Sequence, residues 1–172
     1  MTEIQTPDLM LILILGIACY TDLDRGRIPN GLTASLVLAG VIYNGLEGEP
    51  LVGLLGLAVG FAVHFGLWVL QVVKGGDAKL MMGVGALVGW QGLLEATLWE
   101  FVLFLPVGFV MLVLRGNLRS FYLHLQWLAM RARGTDIPAP PAVTYVVFAP
   151  IIASAVFAAR MTDWFDLVAF FD

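Results

Sequence analysis

The sequence predicts an all-α, polytopic membrane protein: six crossing helices and one amphipathic interfacial helix, in a single domain over residues 1–172. Three observations predict it. Hydrophobic residues make up 60% of the chain and charged residues 13%, against about 45–50% and about 25% in soluble domains, and mean hydropathy is +0.91. The apolar residues form continuous runs near the roughly 20 residues that a crossing helix needs, not the alternation of a barrel strand. The basic residues collect on alternate loops between those runs. Disorder is excluded, because it needs low hydrophobicity. A formal net charge of −4 offers nothing to neutralise phosphates, so no nucleic-acid partner is expected and the lipid bilayer is. The single cysteine, Cys19, can form neither an intrachain disulfide nor a thiolate zinc site.

The first span, about 8–24, follows a tail that holds Glu3 and Asp8 and no basic residue, so it is not read as a cleavable signal. The second (about 28–46) and third (about 50–73) are runs free of Asp, Glu, Lys and Arg throughout. The fourth covers about 77–94 and the fifth about 98–114, with a short outer loop holding Glu95 between them. The sixth covers about 137–159. Pro106 and Pro150 lie inside the last two, where neighbouring helices can satisfy the carbonyls a proline frees. Between the fifth and sixth, Leu118, Phe121, Tyr122, Leu125 and Leu128 recur at three- and four-residue steps among arginines. That pattern predicts the interfacial helix, about 116–133, and the Pro138-Ala-Pro-Pro141 stretch ends it. Trp164, Phe165, Phe170 and Phe171 read as an interfacial anchor.

Arg25 and Arg27 fall on the first loop, Lys74 and Lys79 on the third, and Arg115, Arg119, Arg131 and Arg133 on the fifth. The tail and the second and fourth loops carry carboxylates only. Positive-inside orientation then puts the odd loops in the cytoplasm and both termini outside. Arg160, at the end of the sixth span, is expected to snorkel.

Spans one, four and five reach crossing length only by taking in acids. Asp22 ends the first span and Asp77 begins the fourth, both on the cytoplasmic side. Two carboxylates at one membrane depth are the sharpest feature of the sequence, since ionisable groups at such depth are costly. They are read either as loop charges paired with Arg25, Arg27 or Lys79, or as a pair that does chemistry. His64, mid-span on the third helix, suits a core hydrogen bond, and His124 suits the interfacial helix. Neither neighbours a nucleophile, so a serine or cysteine protease has no support. No His-rich or Cys-rich ligand set points to a metal, and no cofactor is expected.

The segment Thr21-Asp22-Leu23-Asp24-Arg25-Gly26-Arg27-Ile28-Pro29-Asn30 resembles the first active-site segment of the type IV prepilin peptidases, an aspartate followed by a basic turn and by Ile-Pro-Asn opening the next helix. Gly75-Gly76-Asp77-Ala78-Lys79-Leu80 resembles their second, the Gly-x-Gly-Asp motif. The resemblance runs from the first span to the sixth. Lys74 stands where that motif has its first glycine, and Gly75 is expected to supply the backbone freedom instead. The larger members carry a cytosolic insertion with paired Cys-x-x-Cys zinc motifs, associated with N-methylation. This chain resembles the short members linked to tight-adherence (Flp-type) pili, so methyltransferase activity is not carried over.

The resemblance implies an aspartic-type endopeptidase that removes the cytosolic leader of pilin-like precursors at the bacterial inner membrane. Asp22 and Asp77 would be the catalytic residues. Two adjacent carboxylates share a proton and titrate as a unit, so one serves as general base on water while the other polarises the scissile carbonyl. Which is which stays open at this point. Gly75, Gly76, Lys79, Pro29 and Asn30 would support the motif. Lys79 reads equally as a partner for a substrate carboxylate or as a snorkelling anchor, and Asp24 belongs to the charged turn. Glycines such as Gly83, Gly85 and Gly89 allow close helix packing. The competing reading is a small transporter or secretion-machine subunit with the aspartates as an ion relay. A relay is expected to place carboxylates near the midplane or distribute them through the spans, whereas this sequence reads as placing its pair at one edge and leaving the spans otherwise empty of acids.

Overall fold

The computed structural model describes residues 6–69, 73–114, 118–135, 138 and 148–161. All regular structure among them is helical: α1 (Thr6–Arg25), α2 (Asn30–Leu46), α3 (Pro50–Val69), α4 (Gly75–Leu114), α5 (Leu118–Ala132) and α6 (Ala149–Met161). Two compact units result, one of Met1–Phe101 with Val147–Asp172 and one of Val102–Val146. Three helical stretches are long and apolar enough to cross a membrane: Thr6–Arg25, Pro50–Val69 and Gly75–Val110. Helices α2 and α6 are apolar but shorter, so the structure supports the helical class without itself establishing six crossings.

The helices start and stop for local reasons. Gly26, at φ 63°, donates its N–H to the Asp22 carbonyl (2.9 Å) and ends α1 in the left-handed conformation that glycine adopts cheaply. Pro29 is extended, at φ −62° and ψ 136°, and its carbonyl accepts from Leu32 and Thr33 to open α2 two residues later than expected. The expected third span ran to 73, and residues 70–72 lie outside the described residues, as do most of the residues before α6 and the C-terminal aromatics. Helix α5 falls within the expected interfacial helix.

The fourth and fifth spans require a correction. No loop separates them at 95–97, where the chain is helical and Glu95 is buried. The break is at Gly89 (φ 79°, ψ 176°), the one non-helical residue inside α4. A Cβ on Gly85 would stand 2.9 Å from Cδ2 of Leu93, although eight residues of straight helix span about 12 Å. The chain therefore folds back at Gly89 into a first arm, 75–88, and a return arm. Asn44 of α2 caps the break: its amide reaches the carbonyls of Ala86 (2.9 Å) and Leu87 (3.2 Å), which the turn deprives of helical partners. A glycine, not a charge, makes this turn.

Glycines also let the helices approach to backbone contact. A Cβ on Gly40 would meet the Ala86 carbonyl carbon at 2.5 Å, and Gly56 and Gly85 face each other backbone to backbone. Residues 53, 60 and 68 of α3 stand opposite 86, 82 and 75, so α3 runs antiparallel to the first arm of α4. Leu13, Leu38, Leu51 and Leu98 point outward and exposed, as a lipid-facing surface requires. The interior instead buries Asp22, Thr33, Asn44, His64, Asp77, Glu95, Thr97 and Glu100. The helices are thus not empty of acids apart from the aspartate pair, which corrects the sequence reading. Arg160 does not simply snorkel either: its Nε holds Asp8 at 2.7 Å and ties the end of α6 to the start of α1.

Candidate active site

Asp22 occupies the last turn of α1 and is 1% exposed. Its Oδ2 accepts hydrogen bonds from the backbone N–H groups of Phe148 (2.9 Å) and Ala149 (3.1 Å), at the start of α6. Those donors have no partner within their own helix, and the positive end of a helix favours an anion there. The other oxygen, Oδ1, stands 3.7 Å from Nζ of Lys74 and makes no hydrogen bond. Lys74 also donates to the Gly26 carbonyl at 3.4 Å, bridging the turn after α1 to the start of α4. The residue that departs from the family motif thus puts a cation beside the first aspartate.

Asp77 sits in the first turn of α4, also 1% exposed, with Oδ2 buried and making no hydrogen bond. It shares a cavity of about 120 Å³ with Asp22, lined also by Ile28, Asn30, Lys74 and Gly76. Two carboxylates from helix ends 55 residues apart in sequence therefore open on one small space, each with an oxygen free to act. Such a pair can hold one proton between its members and both give and take it.

The supporting residues divide. Asn30 lines the cavity, and its Oδ1 accepts from Lys79 at 2.9 Å, so Lys79 has a partner within the chain. Pro29 acts one step removed, by starting α2. Gly75 does not use the backbone freedom expected of it: neither it nor Gly76 has a positive φ. What they provide is room, since a Cβ would meet Trp68 Nε1 at 3.3 Å from Gly75 and Ile28 Cβ at 3.4 Å from Gly76. Asp24 is exposed and paired with Arg25 at 3.3 Å, as the charged-turn reading has it.

Sequence reasoning missed the α6 N-terminus and Lys74 as neighbours of Asp22. It also missed that His64, fully buried, faces Glu100 across the helices, Nε2 to Oε2 3.3 Å. Glu100 falls inside the expected fifth span, about 98–114, where no partner is visible in the sequence. The side chain of His124 lies outside the described residues. No group of three or more His, Cys, Asp or Glu side chains that could hold a metal occurs among the described residues.

An apolar-surfaced helical protein with a buried pair of aspartates at its helix ends defines a class of candidate membrane hydrolases. Comparison narrows this: the chain belongs to the Type IV leader peptidase family, whose model matches residues 9–109. It is 30% identical over 121 residues to a Prepilin leader peptidase/N-methyltransferase of Aeromonas hydrophila, covering 65% of this chain and 42% of that protein. It is 33% identical over 95 residues to Prepilin peptidase EppA of Methanothermobacter thermautotrophicus, covering 49% and 25%. A Prepilin leader peptidase/N-methyltransferase of Klebsiella pneumoniae is 31% identical over 99 residues, covering 52% and 43%. The chain thus spans less than half the length of these relatives. No solved structure matches it.

Proposed function

We propose that this protein is a membrane aspartyl endopeptidase that removes the cytosolic leader from type IV pilin-like precursors. The observation that carries the reading is the shared cavity of Asp22 and Asp77, two buried carboxylates on the two segments that resemble the family's active-site motifs. The two environments differ, which suggests a division of roles. Two backbone N–H groups donate to Asp22 and the Lys74 ammonium stands beside it, surroundings that suit it to the role of general base. Asp22 then takes a proton from water, and Asp77 keeps the shared proton and donates it towards the scissile carbonyl. The substrate bond would be presented at the edge of the apolar layer, where a leader meets a membrane-embedded helix.

In this reading the chain crosses the inner membrane six times, with the first arm of α4 as a short span, Asp22 and Asp77 at the cytoplasmic face, both termini outside and α5 in the headgroup layer. Methylation, which two of the relatives' names add, is not carried over. The buried glutamates remove the sequence argument against the ion-relay reading, but family membership favours the peptidase. Co-expression with a panel of pilin-type precursors, read by gel shift and mass spectrometry, tests this. Leader removal should require both aspartates and persist in excess EDTA. Activity lost to chelator and restored by a divalent ion would make the aspartates ligands and overturn the mechanism.

A further inference from the structure

Lys74 reaches the aspartates from the residue just before α4, and its backbone and side chain do separate work. The carbonyl accepts the N–H of Ala78 at 3.0 Å and closes the turn that carries Asp77, a bond that the residue preceding a helix supplies whatever its side chain. The side chain turns back to the end of α1. Its Nζ donates to the Gly26 carbonyl at 3.4 Å and stands 3.7 Å from Oδ1 of Asp22. That oxygen is the one left over when Oδ2 accepts the two N–H groups of α6. A lysine beside an apolar layer ordinarily sends its ammonium out to water. This one is only 24% exposed and lines the cavity that Asp22 and Asp77 share.

We propose that Lys74 is a positioning residue of the peptidase: its ammonium ties the end of α1 to the start of α4 and so sets how Asp22 stands towards Asp77. This rests on the peptidase reading and deepens it with a group that acts through Asp22, not on the substrate. Removing the ammonium misplaces one aspartate against the other and leaves substrate binding alone. In Lys74→Met and Lys74→Ala, kcat should therefore fall by roughly 10- to 100-fold at unchanged KM, the scale of a misplacement near 1 Å. Lys74→Arg carries a cation on a similar reach and should recover most of the rate. In Lys74→Ala the vacated space should admit a free primary ammonium. Added propylammonium should then raise the rate several-fold, and propanol, of similar size without the charge, should not.

The assay is leader cleavage of a tagged type IV pilin precursor by purified protein in detergent micelles, with kcat, KM and melting temperature measured for each variant. A lower kcat at unchanged KM in Lys74→Met and Lys74→Ala, recovered by arginine and by propylammonium, supports the proposal. A lowered melting temperature with native kcat makes Lys74 a brace of the fold and overturns it. A raised KM with native kcat makes Lys74 a substrate contact and overturns it as well, as does a rate loss that neither arginine nor propylammonium recovers. Should Lys74→Ala fail to accumulate, Lys74→Met and Lys74→Arg decide alone. Cleavage by the native protein with variants that match it leaves the peptidase reading intact and sinks only this inference, whereas no cleavage by the native protein overturns both.

Discussion

Replacing Asp22 with asparagine or with alanine separates its chemistry from its structural work. The carboxylate accepts two N–H groups at the start of α6, at 2.9 and 3.1 Å. Asparagine keeps an acceptor oxygen in the same place. It weakens two charge-assisted bonds to neutral ones but removes a buried charge, so the net change in stability should stay within about 1 kcal/mol. Alanine strands both N–H groups, and loss of such a cap costs about 1–2 kcal/mol. In a protein of this size that lowers the melting temperature by roughly 2–8 °C. Catalysis should not distinguish the two, because both remove the carboxylate proposed as general base, a role that contributes about 10²–10⁴-fold. Cleavage should fall below about 1% in each. Asp24→Asn is the control: Asp24 is half exposed in a surface pair with Arg25, worth about 0–1 kcal/mol, and most activity should remain. The measurements are leader cleavage of a tagged precursor and thermal unfolding in one detergent. Asp22→Asn cleaving at a tenth of the native rate or better would refute the dyad. Asp22→Ala melting with Asp22→Asn would refute the capping role.

Gly40→Ala should cost about 1–3 kcal/mol and reduce accumulation in the membrane, since the new Cβ meets the Ala86–Leu87 backbone within 2.5–2.7 Å and no flexible side chain can yield. Gly16→Ala, with nothing within 4 Å of its Cβ, should melt at or slightly above the native temperature. For topology, cysteines placed at Arg27 and Glu47, both exposed, in a Cys19→Ala background should label from opposite sides of the membrane. Labelling from one side would remove α2 from the spans and overturn the proposed orientation.

The sequence by itself determined what is local. Continuous apolar runs at helix length predict helices, and α1, α2, α3 and α5 lie close to the expected ranges because composition and turn residues act within a few positions. Asp22 and Asp77 were legible as site candidates because a carboxylate at the end of an apolar run is expensive wherever the chain folds. Tertiary structure decided whatever depends on partners distant in sequence. Glu95 read as a loop because a charge normally marks the end of a span, yet the turn fell at Gly89, where Asn44 from another helix reaches the freed carbonyls. Asp22 meets the N-terminus of α6 across 126 residues, and His64 meets Glu100 across 36. No periodicity encodes such pairings, because a one-dimensional pattern reports the cost of burying a polar group but not which group will satisfy it. That choice is made only when helices pack, through glycine faces that bring backbones into contact and set the register of every buried polar side chain.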